Sequence, residues 1–289
     1  MQSASQPSQP QRKGQEQPEE QKPVNIFANF HLRRIVKENH GQPIYRCCYN
    51  KYPSMMSGIA FLEEIDTSNI YATLSEQQVN FYDNEHCGDH LDIISQFTVK
   101  PKPGRSPKSP FKLVTCTWVR REFETVLAVG DSDGCIRLLS LAMSKETDCI
   151  DTNSDVTTTP ISIVELHAHP IDSELLFSLM SDSTVQLWHL SARRCLCIFK
   201  TNATVMDVHS KGYAFVTGAA DGSLAEWTIP SSVHALDKKA ATKFTPIQSE
   251  DHKVHEVSLD AGTGKCATVA VDAVGGEPNT LRLQLDGQK

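Results

Sequence analysis

Along most of the chain, apolar and polar residues alternate in short runs instead of recurring every three or four positions. Clear examples are Thr125–Val129, Leu175–Leu179 and Tyr213–Thr217, and each run is closed by a turn rich in Gly, Asp or Ser. Alternation places successive side chains on opposite faces of a strand, whereas a helix requires a period of 3.6. The pattern predicts short strands joined by hairpins, and so an all-β protein.

A single phrase recurs along the chain: a strand, a turn of Asp, Gly or Ser, and a second strand that ends in a large side chain. Its copies are Ser75–Asp83, Asp131–Leu141, Ser181–Leu190, Ala220–Ile229 and, more weakly, Asn279–Leu285. With the equivalent residues taken as Tyr82, Leu139, Trp188, Trp227 and Gln284, the spacings are 57, 49, 39 and 57 residues. The shortest spacing is close to the ~40–45 residues of one WD-repeat blade.

Sheets of this size cannot bury both faces alone, so they stack radially and bury them against their neighbours. The sequence therefore predicts a WD-repeat β-propeller that is short or incomplete, with about five recognisable blade units. Two of the copies keep the usual turn aspartate and strand tryptophan together. We predict structural roles within the blades for Asp182, Trp188, Asp221, Trp227 and Trp118.

Breaks in the alternation divide the chain. Residues 1–23 are almost wholly Gln, Pro, Ser, Glu and Lys, a composition that predicts a disordered tail, and the propeller then occupies 24–287. The basic, proline-rich stretch 100–110 predicts a projecting loop, because proline interrupts strands and helices. Two polar stretches, 144–159 and 231–253, are interpreted as connections, the second of them between blades.

Composition narrows the class of protein. With 289 residues, 39% of them apolar and 22% charged, the chain is long enough to bury a sizeable core. No apolar run reaches about 18 residues, and the polar N-terminus is unlike a secretory signal, so we expect an intracellular protein. Nine cysteines without regular spacing are typical of a protein in a reducing compartment. A net charge of −7 argues against a protein that coats nucleic acid without sequence preference.

Several phrases are more specific than the repeat itself. They are Lys37–Tyr45, Thr115–Trp118, Leu127–Gly130 and Glu165–Pro170. In this order they resemble the first blades of the embryonic ectoderm development / extra sex combs family, which is the WD-repeat subunit of Polycomb repressive complex 2. The resemblance runs from about residue 29 to 229 and is faint over 254–285.

The resemblance implies a nuclear, non-catalytic scaffold without a cofactor that supports chromatin-based transcriptional repression. Its expected partners are an Enhancer-of-zeste-like methyltransferase subunit, other subunits of the complex and, as in the family, a histone tail. Neither a membrane nor direct sequence-specific contact with nucleic acid is expected. The alternative is a general WD-repeat adaptor in another intracellular complex, because the same β-rich surfaces suffice for that role.

The family reads trimethyl-lysine through an aromatic cage, whose ring faces attract a quaternary ammonium group. By the resemblance, Tyr45 stands at the first cage position and Val114 at the second, while Lys253 and Val254 stand at the two late positions. One position in four is therefore aromatic, and a lysine near the pocket repels a cationic ligand. We expect scaffolding to be retained and methyl-lysine reading to be weakened or lost.

Enzymatic and metal sites are weakly supported. Residues 130–134 match the Gly-x-Ser-x-Gly nucleophile elbow and contain the Asp-x-Asp-Gly of a calcium loop, but the elbow requires a following helix and 135–141 is predicted to be a strand. His86, Cys87 and His90 lack a second pair of zinc ligands at a recognised spacing. We therefore predict no catalytic residue and no metal.

Two further features concern packing and modification. Cys195 and Cys197 lie two residues apart, which predicts that both pack on one face of a strand. Ser106 and Ser109 each precede a proline in the basic loop. Phosphorylation there would reverse the local charge and switch a contact, and the alternative is an unmodified, solvated loop.

Overall fold

The computed structural model describes residues 41–50, 69–84, 91–101, 110–121, 124–153 and 161–229, together with the backbone alone of four strands between 244 and 285. In these parts the chain forms nineteen β-strands arranged in five antiparallel sheets. The all-β prediction is confirmed. The disordered tail predicted for 1–23, most of the loop predicted at 100–110, and Ser106 and Ser109 lie outside the described residues.

Each sheet is a meander of strands that follow one another in sequence. The first sheet contains β1 (Arg46–Tyr49), β2 (Ile70–Leu74), β3 (Gln78–Asp83) and β4 (Asp92–Thr98). The second contains β5 (Leu113–Arg120), β6 (Thr125–Asp131), β7 (Cys135–Ser140) and β8 (Lys145–Asp151). The third contains β9 (Ile163–Ala168), β10 (Leu175–Met180), β11 (Thr184–His189) and β12 (Arg194–Lys200).

The remaining two sheets follow the same order. The fourth contains β13 (Ala203–Val208), β14 (Ala214–Ala219), β15 (Ser223–Thr228) and β16 (Phe244–Ser249). The fifth contains β17 (Val254–Leu259), β18 (Cys266–Asp272) and β19 (Thr280–Leu285), three strands in its described part. Five sheets match the five blade units predicted from the repeated phrase.

The register of the repeat is also confirmed. The five residues taken as equivalent occupy the fifth position of the third strand in their respective sheets: Tyr82 in β3, Leu139 in β7, Trp188 in β11, Trp227 in β15 and Gln284 in β19. The repeated phrase therefore corresponds to the hairpin of second and third strands. Among the described side chains of the first four sheets, this hairpin is the most buried part. In β10 and β14, for example, every residue is buried.

The sheets stack face to face, and the core lies between them. One buried cluster joins the first and second sheets, a second joins the second and third, and a third joins the third and fourth. The first strands of successive sheets, β1, β5, β9, β13 and β17, contact one another in order. This is the radial arrangement of propeller blades, with the first strands innermost.

The meander gives the molecule two distinct ends. Because four antiparallel strands return the chain to its starting side, every first strand begins at the same end. We call this end the entry face; it carries the hairpins between second and third strands, at 75–77, 132–134, 181–183 and 220–222. The opposite end, the exit face, carries the turns at 141–144, 169–174, 190–193 and 209–213.

Two of the predicted connections are partly wrong. Strand β8 lies inside the stretch 144–159, and strand β16 lies inside 231–253, where each forms the outer strand of its sheet. An outer strand has a solvent-exposed edge, so it does not need a continuous apolar pattern, and β8 begins with three exposed residues. In β16, Pro246 lies at a register shift on an edge strand, where the missing N–H is tolerated.

The predicted placement of Cys195 and Cys197 on one face is also wrong. Cys195 packs in the core between the second and third sheets, whereas Cys197 packs in the core between the third and fourth. The register of β11 and β12 shifts between Leu187 and Trp188, so one extra residue is accommodated between the two cysteines. A bulge of this kind turns the following side chains to the opposite face.

Candidate functional site

The tryptophans at the ends of the third strands are core residues tied to the neighbouring strand. Trp188 is 4% exposed and its Nε1 donates to Ser178 Oγ at 3.1 Å. Trp227 is 6% exposed and its Nε1 donates to Thr217 Oγ1 at 2.9 Å. Both rings therefore fill the space between sheets and pair their one polar atom inside it.

The turn aspartates act separately from these tryptophans. Asp182 Oδ1 accepts from the N–H and the hydroxyl of Thr184, at 3.0 and 2.7 Å. Asp221 Oδ1 accepts from the N–H and the hydroxyl of Ser223, at 2.9 and 2.6 Å. Each aspartate thus closes its own hairpin turn at the entry face, as Asx turns do.

The predicted cage positions can be compared through the register of the first strands. The pairing of the first with the second strand skips one residue near the start of β5, β9, β13 and β17. The skipped residues are Val114, Val164, Thr204 and His255. A bulge re-aims the side chain it carries, and bulges are enriched next to functional sites.

Tyr45 occupies the same position in the first sheet. In the second sheet, Thr115 follows the skipped residue and pairs with Gly130. In the first sheet, Arg46 holds the corresponding position and pairs with Leu74. Tyr45 comes directly before Arg46, and its N–H donates to the Leu74 carbonyl at 2.8 Å. The structure thus places Tyr45 and Val114 at matching positions on neighbouring first strands, near the entry face.

The side chains at this position do not form a set of rings. Tyr45 is 49% exposed, while Val114, Val164 and Thr204 are half-buried, so a single aromatic ring stands among the four described members. The Tyr45 hydroxyl donates to Glu76 Oε1 at 3.2 Å. Partial desolvation and the Glu76 carboxylate raise the pKa of Tyr45. Lys253 lies outside the described residues, and Val254 is described by its backbone alone, as the first residue of β17.

A polar cluster that sequence reasoning missed lies between the first strands. Glu165 on β9 accepts from the Met206 N–H of β13 at 2.9 Å, and its other oxygen lies 4.0 Å from Arg46. His167 lies between two carboxylates, 3.7 Å from Glu165 and 3.6 Å from Asp207. These residues come from three sheets, and their separation along the chain left no local signal.

This cluster perturbs the acidity of its central carboxyl group. Burial by itself raises the pKa of Glu165, but the His167 ring, the Met206 N–H and Arg46 together lower it below the usual value of 4.5. A carboxyl group with a depressed folded-state pKa contributes stability above its unfolded value, and that contribution is lost as the pH falls through the folded value.

We expect Glu165→Gln to lower the free energy of unfolding by about 1–2 kcal/mol at pH 7, because the amide can still accept from the Met206 N–H but lacks the charge that strengthens this hydrogen bond and attracts Arg46. The difference from the wild type should shrink as the pH falls from about 5 to 3, because the wild-type carboxyl then becomes protonated. Urea unfolding at several pH values measures both quantities. A difference that stays constant down to pH 3 would contradict this account of the cluster.

The residues that match the nucleophile elbow and the calcium loop, 130–134, have a structural role in the second sheet. Strand β7 follows Gly134 directly, so no helix supports a nucleophile there. Asp131 Oδ1 accepts the N–H groups of Asp133 and Cys135, and Oδ2 accepts from Arg137 Nε at 2.9 Å. Both carboxylate oxygens are thus occupied within the protein.

Within the ranges described, no three His, Cys, Asp or Glu side chains are grouped to hold a metal ion. The His86, Cys87 and His90 group lies outside those ranges. Among the described residues, no helix has the length and hydropathy needed to cross a membrane.

The exit face carries most of the exposed large apolar side chains. Eight such side chains are exposed in the described part, and six of them lie at or near this end. They come from all of the first four sheets: Tyr49, Ile93 and Ile94 from the first, Met143 from the second, Ile171 from the third and Tyr213 from the fourth. Ile171 is the most exposed, at 71%. We call these six side chains the exit-face apolar set.

The fold and its core define the class of protein. The sheets are stacked meanders, mostly four-stranded, with their first strands innermost. Each has a tryptophan or another large residue at the same register position. These features define a WD-repeat β-propeller. No protein-family model matches the chain.

Relatives support the resemblance noted from the sequence. The chain is 23% identical to Polycomb protein esc of Drosophila virilis over 202 residues, which cover 67% of this chain and 42% of that protein. It is 22% identical to Polycomb protein esc of Drosophila melanogaster over 212 residues, covering 70% and 44%. A shorter match, 41% identical over 64 residues, is to WD repeat-containing protein 44 of Xenopus laevis and covers 21% of this chain and 7% of that protein.

Solved structures agree on the fold. A chain of the Chaetomium thermophilum Polycomb Repressive Complex 2 bound to GSK126 superposes with a TM-score of 0.56 at 12% identity, covering 86% of this chain and 55% of that one. A chain of an active Polycomb repressive complex 2 in the basal state gives 0.54 at 12% identity, covering 86% and 53%. The resemblance to the esc family is therefore confirmed, and the chain spans less than half the length of the esc proteins it matches.

Proposed function

We propose that this chain is a non-catalytic WD-repeat scaffold subunit of a Polycomb-type histone methyltransferase complex, acting in the nucleus in chromatin-based transcriptional repression. The observation that carries the proposal is the similarity to Polycomb protein esc over two thirds of the chain. The fold agrees with it, because the superposed chains come from Polycomb repressive complex 2. The stacked sheets provide a rigid surface on which other subunits assemble.

The exit face is the proposed docking surface for the methyltransferase subunit, which we expect to be Enhancer-of-zeste-like. The exit face carries six of the eight exposed large apolar side chains of the described residues, and exposed apolar surface is typical of interaction sites. The exit-face apolar set includes two tyrosines, a residue type enriched in binding hot spots. By contrast, the entry face offers Ile44 and Tyr45 from the described residues.

Co-purification tests the scaffold role. The full chain, tagged and expressed in its own cells, should recover an Enhancer-of-zeste-like methyltransferase together with its companion subunits, identified by mass spectrometry. Recovery of the same subunits from a purified mixture would show that the contact is direct. A clean, monodisperse chain that recovers no such methyltransferase would overturn the proposal.

Changing Ile171 to Asp should weaken binding of the methyltransferase subunit by about tenfold or more, because a charge would be buried against an apolar partner surface. Folding should be nearly unaffected, since Ile171 is 71% exposed in a turn. The matched control is Ile44→Asp, which makes the same chemical change at the entry face. Equal loss of binding in both variants, measured by titration calorimetry, would place the docking surface elsewhere.

Weakened methyl-lysine reading is the second part of the proposal. Each cation–π contact contributes about 0.5–2 kcal/mol, so a site with one ring binds trimethyl-lysine far less tightly than a complete cage. We expect a trimethyl-lysine histone-tail peptide to bind in the millimolar range or not at all. Val114→Tyr should strengthen binding several-fold by adding a ring beside Tyr45, whereas Ile171→Tyr, which adds a ring at the exit face, serves as the control. Micromolar binding by the wild type would contradict the proposal.

A general WD-repeat adaptor role in another intracellular complex is the second candidate. It is favoured by the short but closer match to WD repeat-containing protein 44, at 41% identity. The co-purification experiment separates the two candidates. Recovery of a stable, stoichiometric set of proteins without a methyltransferase would support the adaptor role.

A further inference from the structure

A pair of cysteine thiols lies at the contact between the first two sheets. Cys116 on β5 is a buried member of the core cluster that joins these sheets, and Cys48 on β1 packs against that cluster. Cys48 is also the first cause of the raised pKa of the Cys116 thiol, which agrees with the two thiols being neighbours. They are separated along the chain by 68 residues, and neither is in a disulfide. Two thiols packed together on neighbouring strands are a candidate pair for a disulfide.

The backbone around this pair is held in place. Trp118 on β5 donates from Nε1 to the Cys48 carbonyl at 3.0 Å, across the same boundary between sheets. Trp118 is 4% exposed and packs edge-on against Phe81, with ring centroids 5.6 Å apart. The two first strands are thus held side by side at the level of this pair, which is the placement that a disulfide between them requires.

We propose that Cys48 and Cys116 are a redox-active pair that hydrogen peroxide converts into a disulfide joining the first and second sheets. Cys48 reacts first because it is partly exposed, whereas Cys116 is 3% exposed. Its sulfur takes one oxygen from peroxide, which gives a sulfenic acid and releases water. The Cys116 sulfur then attacks the Cys48 sulfur, its proton leaves with the hydroxyl as a second water, and the disulfide forms.

The order of the two steps follows from the surroundings of each thiol. The hydrogen bond to Cys48 and burial raise the pKa of Cys116 well above its ordinary value, so Cys116 stays protonated at neutral pH. A protonated, buried thiol is a poor target for peroxide. Cys116 is therefore the resolving thiol, and the second step should become faster as the pH rises.

A disulfide at this position closes a loop that spans most of the first sheet and the start of the second. It restricts the unfolded chain, and the expected rise in melting temperature is roughly 5–10 °C for a chain of this size. The disulfide would be reversed by thiol reductants, since one of its sulfurs is partly exposed.

The test treats the reduced 289-residue chain with a small excess of hydrogen peroxide at neutral pH, blocks remaining thiols, and maps tryptic peptides without reduction. The expected product links the peptide Cys47–Lys51 to the peptide Leu113–Arg120, and reduction should release both. Cys47→Ser should keep the link, Cys48→Ser should abolish it, and Cys149→Ser, a change on β8, should leave it unchanged.

The melting temperature provides a second readout. It should rise on oxidation of the wild type and of Cys47→Ser, and stay unchanged on oxidation of Cys48→Ser. If Cys116→Ser proves too unstable to study, Cys48→Ser alone carries the comparison, because Cys48 lies at the margin of the core. A link between Cys47 and Cys48, or oxidation confined to the exposed Cys47 with Cys116 still a thiol, would overturn the proposal.

Discussion

Replacing Trp227 with alanine is expected to lower the free energy of unfolding by about 3–5 kcal/mol. Its ring lies between the third and fourth sheets, stacked on Phe215 and edge-on to Phe199, with centroids 6.0 Å from each. Alanine would leave a cavity there and would remove the hydrogen bond that the Thr217 hydroxyl accepts from the indole at 2.9 Å. Chemical denaturation followed by circular dichroism measures the loss.

A matched variant separates the two contributions. Trp227→Phe keeps most of the ring volume and removes the indole N–H, so its cost should be about 1–2 kcal/mol, close to that of one buried hydrogen bond. Trp188→Ala should behave like Trp227→Ala, because Trp188 holds the same register position and pairs with Ser178. Unchanged melting of both alanine variants would argue against tryptophans that fill the space between blades.

Replacing Arg137 with methionine should lower the free energy of unfolding by about 3–5 kcal/mol, because it leaves a buried carboxylate without its counter-charge. Arg137 is 5% exposed, and its Nε donates to Asp131, which is fully buried, at 2.9 Å. The guanidinium also reaches Glu146 at 3.2 Å and lies 5.7 Å from the centre of the Phe111 ring. Denaturation at pH 7 gives the magnitude.

The pH dependence of the stability lost in Arg137→Met tests whether the charge of Asp131 causes the loss. Burial already raises the pKa of Asp131 despite its hydrogen bonds to Cys135 and Arg137. A carboxyl group with a raised folded-state pKa destabilises the fold at high pH, and that penalty disappears as the pH falls and the group is protonated. The deficit of Arg137→Met should therefore shrink in acid.

Two further variants complete the test of the ion pair. Asp131→Asn in the Arg137→Met background should recover part of the lost stability, because it removes the charge and keeps an acceptor for the backbone N–H groups. Arg193→Met is the control on a pair whose arginine is exposed: Arg193 Nε lies 3.0 Å from Asp148, and the two side chains are 62% and 13% exposed. Its cost should be about 1 kcal/mol or less. Equal costs for the two arginines would contradict a special role for the buried pair.

The blades could be predicted from sequence because their signal is local. Each hairpin of second and third strands is a short segment, and its turn and its terminal large residue are close together in the chain, as for Asp182 and Trp188. The outer strands β8 and β16 escape this kind of prediction, because polar residues are tolerated in a strand at the edge of a sheet.

The candidate site could be predicted only in part. Tyr45 and Val114 were identified through a resemblance, and their matching positions follow from bulges, which no pattern of alternation reveals. The polar cluster around Glu165 depends on first strands from different sheets meeting at the centre of the stack. Because such contacts join residues about 40 to more than 100 positions apart, they become visible only once the order of the sheets is known.

The location of the core between sheets has a consequence for synthesis on the ribosome. The second sheet ends at Asp151. The side chains on its face toward the third sheet, among them Ile136 and Leu138, pack against residues of 163–195. A nascent chain that has just finished this sheet therefore exposes an apolar face until the next blade has left the exit tunnel. Elongation proceeds at roughly 5–20 residues per second, so each blade waits a few seconds for its neighbour. Chaperones bind exposed apolar faces of this kind. We therefore expect chaperone binding to recur as each blade is synthesised.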